Sequence, residues 1–356
     1  IYTYWRKSGV GREWLIKNRD HLKAAADYYL WQEANPKQSN FDRILYSHSE
    51  TSSQTFGGYD LYANVISLTA LRMYAQLFDE LGEGYYADEL RRLANRLEAG
   101  VTEIFTLDHS KFGKVWTDTT DDCWTYEYKR FCALLMASDV YTLDPAKELP
   151  ALFDVMSRTM AAQKELYYKP YSGRQMGYGQ GYLTGAMLML DAHVDYSDCV
   201  RASGNLCSHK TDVPYIVPEG VICHGDGAYW YRNSDLGNAV QQAEIIKEAR
   251  LMVGVDDLDG GFDLVPRLPD YMTAITAENV PVTVDGKVEM ISFRYARDDK
   301  GDVRVTDGQT TYSLTISGAK PGTVRVGPFA SPDVTTGAVL CGVRRIGQDY
   351  YAYISL

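Results

Sequence analysis

Through the first 250 residues apolar side chains recur every three or four positions, the spacing that lines one face of a helix. Glu13 to Glu33 carries Leu15, Leu22, Ala25, Ala26, Tyr29 and Leu30 on one side and stops ahead of Pro36. Asp60 to Leu81 carries Leu61, Val65, Leu68, Leu71 and Ala75, and ends at Gly82. Gly84 to Phe105 repeats the pattern with Leu90, Leu93, Leu97 and Val101. Further helices are predicted over Asp122–Ser138, Leu149–Gln163, Gly179–Ala192 and Asp235–Val253. Short turns alternate with long Gly- and Tyr-rich connections at Pro36–Tyr59, Thr106–Asp121, Tyr167–Tyr178 and Val194–Ser234. Such alternation gathers the long loops at one end of a helical-hairpin array, and loops on a rigid scaffold carry chemistry.

Past the PRLP segment (Pro266–Pro269) the period shortens. Val288–Ala296, Val303–Thr306, Tyr312–Ile316, Thr323–Val326, Val339–Val343 and Tyr350–Ile354 are β-rich runs between Gly, Asp and Pro turns. They predict an antiparallel β-sandwich over 266–356, following a helical unit over 1–265 with a boundary near Phe262–Asp270.

Composition narrows the function. The 356 residues are 45% hydrophobic and carry a net charge of -11, which argues against a nucleic-acid partner. No apolar run is long enough to span a bilayer. The 28 tyrosines against 10 phenylalanines suit half-wet clefts, since tyrosine joins an apolar face to a polar tip. The chain opens at Ile1, close to a helical pattern, and reads as a mature or partial chain. Cys199 and Cys207 bracket a polar loop in which a disulfide or two thiols are equally open; a disulfide would place the protein in a secreted or periplasmic setting. No zinc-type spacing occurs, and no cofactor is expected.

The densest chemistry lies in PEGVICHGDGAYWYRNSDLGN, residues 218–238. Glu219, Asp226 and His224 share a glycine-broken loop with Tyr229, Trp230 and Tyr231. Unpaired carboxylates are costly in a core. Acids beside exposed rings instead fit a carbohydrate cleft, with rings for the C–H face of a pyranose and acids for its oxygens. A second cluster, WTDTTDDCWTYEY, offers Trp116, Trp124 and Tyr126 as sugar platforms, with Trp124 otherwise a core residue. Arg232 and Arg174 are the cations suited to a uronate carboxylate.

The helical hairpins, this loop with its continuation AVQQAE, the PRLP linker and the VRVGPF of the β-region together resemble the six-hairpin glycosidases, nearest to their α-L-rhamnosidase-like subgroup. The resemblance implies a mainly α fold, an (α/α)6 toroid incomplete at its N-terminus, and a glycoside hydrolase acting by inversion with two carboxylic acids. Inversion needs a protonated acid and a carboxylate roughly 6.5–9.5 Å apart, so the pair should come from different loops. Glu50, in YSHSETSSQTFGGYD, is the candidate general acid; Glu219, similar in placement to the family's base, is the candidate base, with Asp226 as substitute. The family's Trp-Glu pattern is absent around Glu219. Asp60 is a candidate substrate ligand or a helix N-cap, and His224 an orienting or backbone-bonding group. The expected partner is an oligo- or polysaccharide of plant, algal or bacterial origin, cut from its end. Two other readings stand. A toroidal lyase would use His224, Tyr229, Tyr231, Arg232 and Asn233 for β-elimination on a uronate, and a degenerate toroid would bind glycan without turnover.

Overall fold

The computed structural model describes residues 1–36, 43–46, 59, 61–117, 150–167, 173–176, 184–188 and 197–204 (without 186 and 202), 220–224, 229–233, 239–258, 261–264, 267, 269, 271–272, and the strands between 274 and 355. Among the described residues helices dominate up to residue 253 and mostly antiparallel strands follow.

After a short helix α1 (Tyr2–Lys7), three long helices supply most of the described core: α2 (Gly11–Ala34), α3 (Leu61–Leu81) and α4 (Gly84–Glu103). Their buried positions follow the predicted stripes: Leu15, Leu22 and Ala26 on α2; Leu61, Val65, Leu68, Leu71 and Ala75 on α3; Ala87, Leu90, Leu93, Leu97 and Val101 on α4. Ala25, expected on the inner stripe, faces solvent, because one step along the helix turns the chain by about 100°. Burying each leucine contributes about 1.5–3 kcal/mol, which fixes these faces inward. The α3–α4 turn closes on Gly82 at φ 83°, with the Gly82 N–H on the Asp79 carbonyl (2.9 Å) and the Glu83 N–H on the Phe78 carbonyl (2.8 Å). This paired C-cap demands a left-handed residue, which glycine supplies without a Cβ penalty.

The connection after α4 opens with a hairpin of β1 (Thr106–His109) and β2 (Gly113–Trp116). It packs against α5 (Pro150–Tyr167), where the Thr159 Oγ1 accepts from the Trp116 amide at 2.9 Å. Three strands follow, β3 (Gly173–Met176), β4 (Gly220–His224) and β5 (Tyr229–Asn233), forming one antiparallel sheet in the order β3–β4–β5. The last helix is α6 (Ala239–Val253). No described helix is long and apolar enough to cross a membrane.

The strands of the C-terminal half are β6 (Val255–Leu258), β7 (Gly261–Leu264), β8 (Ala274–Val284), β9 (Lys287–Arg297), β10 (Val303–Asp307), β11 (Thr311–Tyr312), β12 (Leu314–Ile316), β13 (Thr323–Phe329), β14 (Val334–Thr336), β15 (Val339–Ile346) and β16 (Asp349–Ser355). One sheet runs β13–β16–β15–β7–β6 and another β11–β10–β9–β8, with β12 and β14 paired in parallel. Strands β6 and β7 precede PRLP yet share the sheet of β15 and β16, so this C-terminal sheet starts at Val255, ahead of PRLP. Strand β8 lacked a readable alternation because a bulge between Ala277 and Val280 holds Asn279 at φ 56°, and Pro281 interrupts the run. Its edge position tolerates the missing proline N–H.

Candidate functional site

Contacts fix which ends of the three long helices lie together. Arg12 at the start of α2 donates to the Glu80 carbonyl (2.8 Å) and the Leu81 carbonyl (3.0 Å) at the end of α3. At the other end, the connection between α2 and α3 returns to the helices. Asn64 accepts from the Leu45 N–H (2.7 Å) and donates to the Leu45 carbonyl (2.9 Å), while Gln32 donates to the Tyr46 carbonyl (3.1 Å). Tyr46 meets Tyr59 edge to face at 5.7 Å. A methyl group on Gly100 of α4 would run into the Arg43 carbonyl oxygen, so only glycine permits this approach. The connections Pro36–Tyr59 and Thr106–Asp121 therefore leave from the same end, opposite the Gly82 turn. The segments on both sides of Glu50 are anchored there.

Ion pairs supplement this frame. Glu33 of α2 accepts from Arg92 (2.6 and 2.8 Å) and pairs with Arg96, and the Arg92 guanidinium holds its carboxyl below the usual carboxylate range. Asp27 accepts from Lys23 and from the Tyr86 hydroxyl (both 2.7 Å); burial opposes its ionisation, but these two donors outweigh it and its pKa falls. Burial and the same carboxylate push the Tyr86 hydroxyl well above its usual range.

The β3–β4–β5 sheet unites segments distant in sequence. Arg174 pairs with Ile222 and Ile222 with Tyr231; His224 pairs with Tyr229; Val221 pairs with Arg232 and Cys223 with Trp230. Since successive strand positions alternate faces, positions 174, 224, 229, 231 and 233 occupy one face and 230 and 232 the other. The two arginines considered for a carboxylate thus sit on opposite faces, a separation invisible while both were read as loop residues.

Of the remaining predicted residues, Glu50, Asp60, Trp124, Tyr126, Glu219 and Asp226 lie outside the described residues, as does the predicted helix Asp122–Ser138. By sequence, Glu219 immediately precedes β4 and Asp226 falls between β4 and β5. Trp116, expected as a sugar platform, is instead 1% exposed, and its indole donates to the Val101 carbonyl at 3.2 Å. Lying at the end of β2 it turns inward between α4 and α5, so it is a core residue and offers no face to a sugar. Cys199 is buried, and Cys207 lies outside the described residues.

Two arrangements escaped the sequence reading. Thr184, Ser203 and Glu248 form a buried chain, with 2.9 Å between the hydroxyls and 2.7 Å from the Ser203 Oγ to the Glu248 carboxylate. The signal was present in α6, where Glu248 falls three residues from both Ile245 and Leu251, on the apolar phase. Tyr28 and Trp31 on α2 stack in the open, 56% and 58% exposed.

No family model matches the chain, and no curated protein matches it. Among solved structures, one titled "Sialidase" is similar at a TM-score of 0.57 and 10% identity, covering 87% of this chain and 31% of its own. At that identity the likeness is one of fold. The chain spans just under a third of the sialidase's length.

Proposed function

We propose that this protein is a glycoside hydrolase whose helical part belongs to an (α/α)6 toroid and whose strands from Val255 onward build a β-sandwich, which moves the division expected at 265/266 ahead of β6. The fold likeness to a sialidase across 87% of the chain carries the reading. The anchoring of both sides of the Glu50 loop at the long-loop end supports it. The sialidase's substrate does not pass to this chain, which matches a third of that protein.

In this reading Glu50 protonates the glycosidic oxygen as the bond to the anomeric carbon breaks. Glu219, or Asp226 in its place, takes a proton from the water that attacks the opposite face, and configuration inverts. Asp60, Trp124, Tyr126, His224, Trp230 and Arg232 are the substrate contacts to test, and the protein works at chain ends outside the cytoplasm. Glu50→Gln and Glu219→Gln are each expected to lower kcat about 10²–10⁴-fold with an unchanged circular-dichroism spectrum. Aryl α-L-rhamnopyranosides are the first substrates to try. Losses below about tenfold for both variants, about 1.4 kcal/mol of barrier, would remove the pair.

A second reading has its own support. Positions 174, 224, 229 and 231 share a sheet face, a set that suits β-elimination on a uronate with Arg174 as the carboxylate ligand instead of Arg232. Growth of ultraviolet absorbance from a new C=C bond on polyuronates decides for it.

A further inference from the structure

We propose that Tyr28 and Trp31 form a surface subsite that stacks the C–H face of an uncharged pyranoside at the rim of the long-loop end. This rests on the glycan-active reading above. The two rings, one helical turn apart, lie 6.0 Å between centroids and 17° from parallel. Each is more than half exposed, so although one ring stacks on the other, apolar ring surface of both remains open to solvent.

Local contacts flank the pair and fix the backbone beneath it. Tyr29, half-buried, meets the Tyr28 ring edge to face at 6.3 Å. The side-chain amide and backbone N–H of Asn35 both donate to the Trp31 carbonyl, at 2.8 and 3.0 Å, and end the helix there. Rigid aromatics give up little conformational freedom on binding. The location also fits, because Trp31 lies three residues before the end of α2, where the connection carrying Glu50 departs.

Size and charge select the occupant. An aromatic side chain buries about 150–250 Å², so two rings just over half exposed offer on the order of 200 Å², far below the roughly 800 Å² per partner of a stable protein interface. The same helix face continues through Ala24, His21 and Asp20, and the next large apolar group, Ile16, is about 18 Å away along the axis. A patch of one or two sugar rings fits this outline better than a helix or a second copy. The net charge of -11 favours an uncharged sugar over a polyanion.

The test is native gel electrophoresis of the full chain through galactomannan, mixed-linkage β-glucan or rhamnan. Retardation by at least one polymer is expected, about tenfold weaker for Trp31→Ala and for Tyr28→Ala, with Trp31→Phe keeping most of it. The subsite is overturned if no polymer retards the native chain, or if Trp31→Ala migrates like it. It is equally overturned if light scattering finds a dimer that Trp31→Ala dissociates. Ring-dependent retardation without turnover would defeat the hydrolase reading and leave the subsite standing; turnover with ring-independent retardation would do the reverse.

Discussion

The two ends of the α2–α3–α4 array are held together by different physics. At the Gly82 end buried Phe78 packs edge to face on Tyr86 at 4.5 Å, and the polar side-chain contacts around it are charged and wet: Arg19 forks onto Glu83 at 2.7 and 2.9 Å, with side chains 37% and 29% exposed. At the opposite end ion pairs are joined by neutral, sealed contacts: Asn64, 1% exposed, bonded to both backbone groups of Leu45, and the Gly100 backbone against Arg43. Exposed ion pairs tolerate geometric slack and contribute little. Buried hydrogen bonds with exact partners position what they hold, because leaving a buried group unpaired costs about 1–3 kcal/mol. At the end where the long connections leave, the chain next to the helices is therefore fixed by positioning contacts.

The sharpest way to break this contrast is at Asn64. Asn64→Ala leaves the Leu45 N–H and carbonyl without that partner in a buried setting, and should destabilise the protein by about 2–4 kcal/mol in urea titration. Turnover, measured well below the unfolding transition, should fall as well, because Leu45 anchors the connection bearing Glu50. A variant of near-native stability would mean that the segment is held by other contacts.

Gly100→Ala is the milder version. The added methyl forces α4 away from the Arg43 carbonyl, an overpacking cost of about 1–3 kcal/mol. Because the displaced segment leads to the Glu50 loop, kcat should drop while an exposed glycine such as Gly84, whose added methyl meets nothing, accepts alanine without loss of turnover. Equal behaviour of the two glycine variants would remove the link between this contact and the loop.

How much of this was legible beforehand follows from the period of each element. The stripes of α2, α3 and α4 are long, regular and amphipathic, and their buried residues came out as read, Ala25 apart. Strands β9, β10, β13, β15 and β16 were each caught within a few residues. Strands β3, β4 and β5 were not, because glycines and clustered polar groups hide a four- or five-residue alternation inside what scans as loop. Trp116 was misread for a related reason: it lies outside any helical stripe, and its inward turn depends on the hairpin with β1 and on Thr159, 43 residues later. Tyr28 and Trp31 sit off the apolar stripe of α2, so a search for core positions passes over them. The candidate acids stand out in the sequence by residue type and loop context alone, which carry no information on distance, whereas the elements flanking them, 43–46 and Tyr59 for Glu50 and β4 and β5 for Glu219 and Asp226, take their places from contacts distant in sequence.

The smallest effect belongs to the charged end, and its sign can be worked out. The Arg19 hydrogen bonds hold the Glu83 carboxyl below its ordinary value, outweighing desolvation. A carboxylate depressed in the folded state contributes stability above its unfolded pKa, roughly 4.3, and loses it as pH falls through the lower folded value. Arg19→Ala should therefore lower Tm slightly at neutral pH, and the gap from native should close as pH drops below that window. Added salt at pH 7 should narrow the same gap, since both side chains are reached by solvent. A gap that widens on acidification would show that Arg19 acts through something other than its pairing with Glu83. A Tm loss as large as that of Asn64→Ala would abolish the distinction between the two ends.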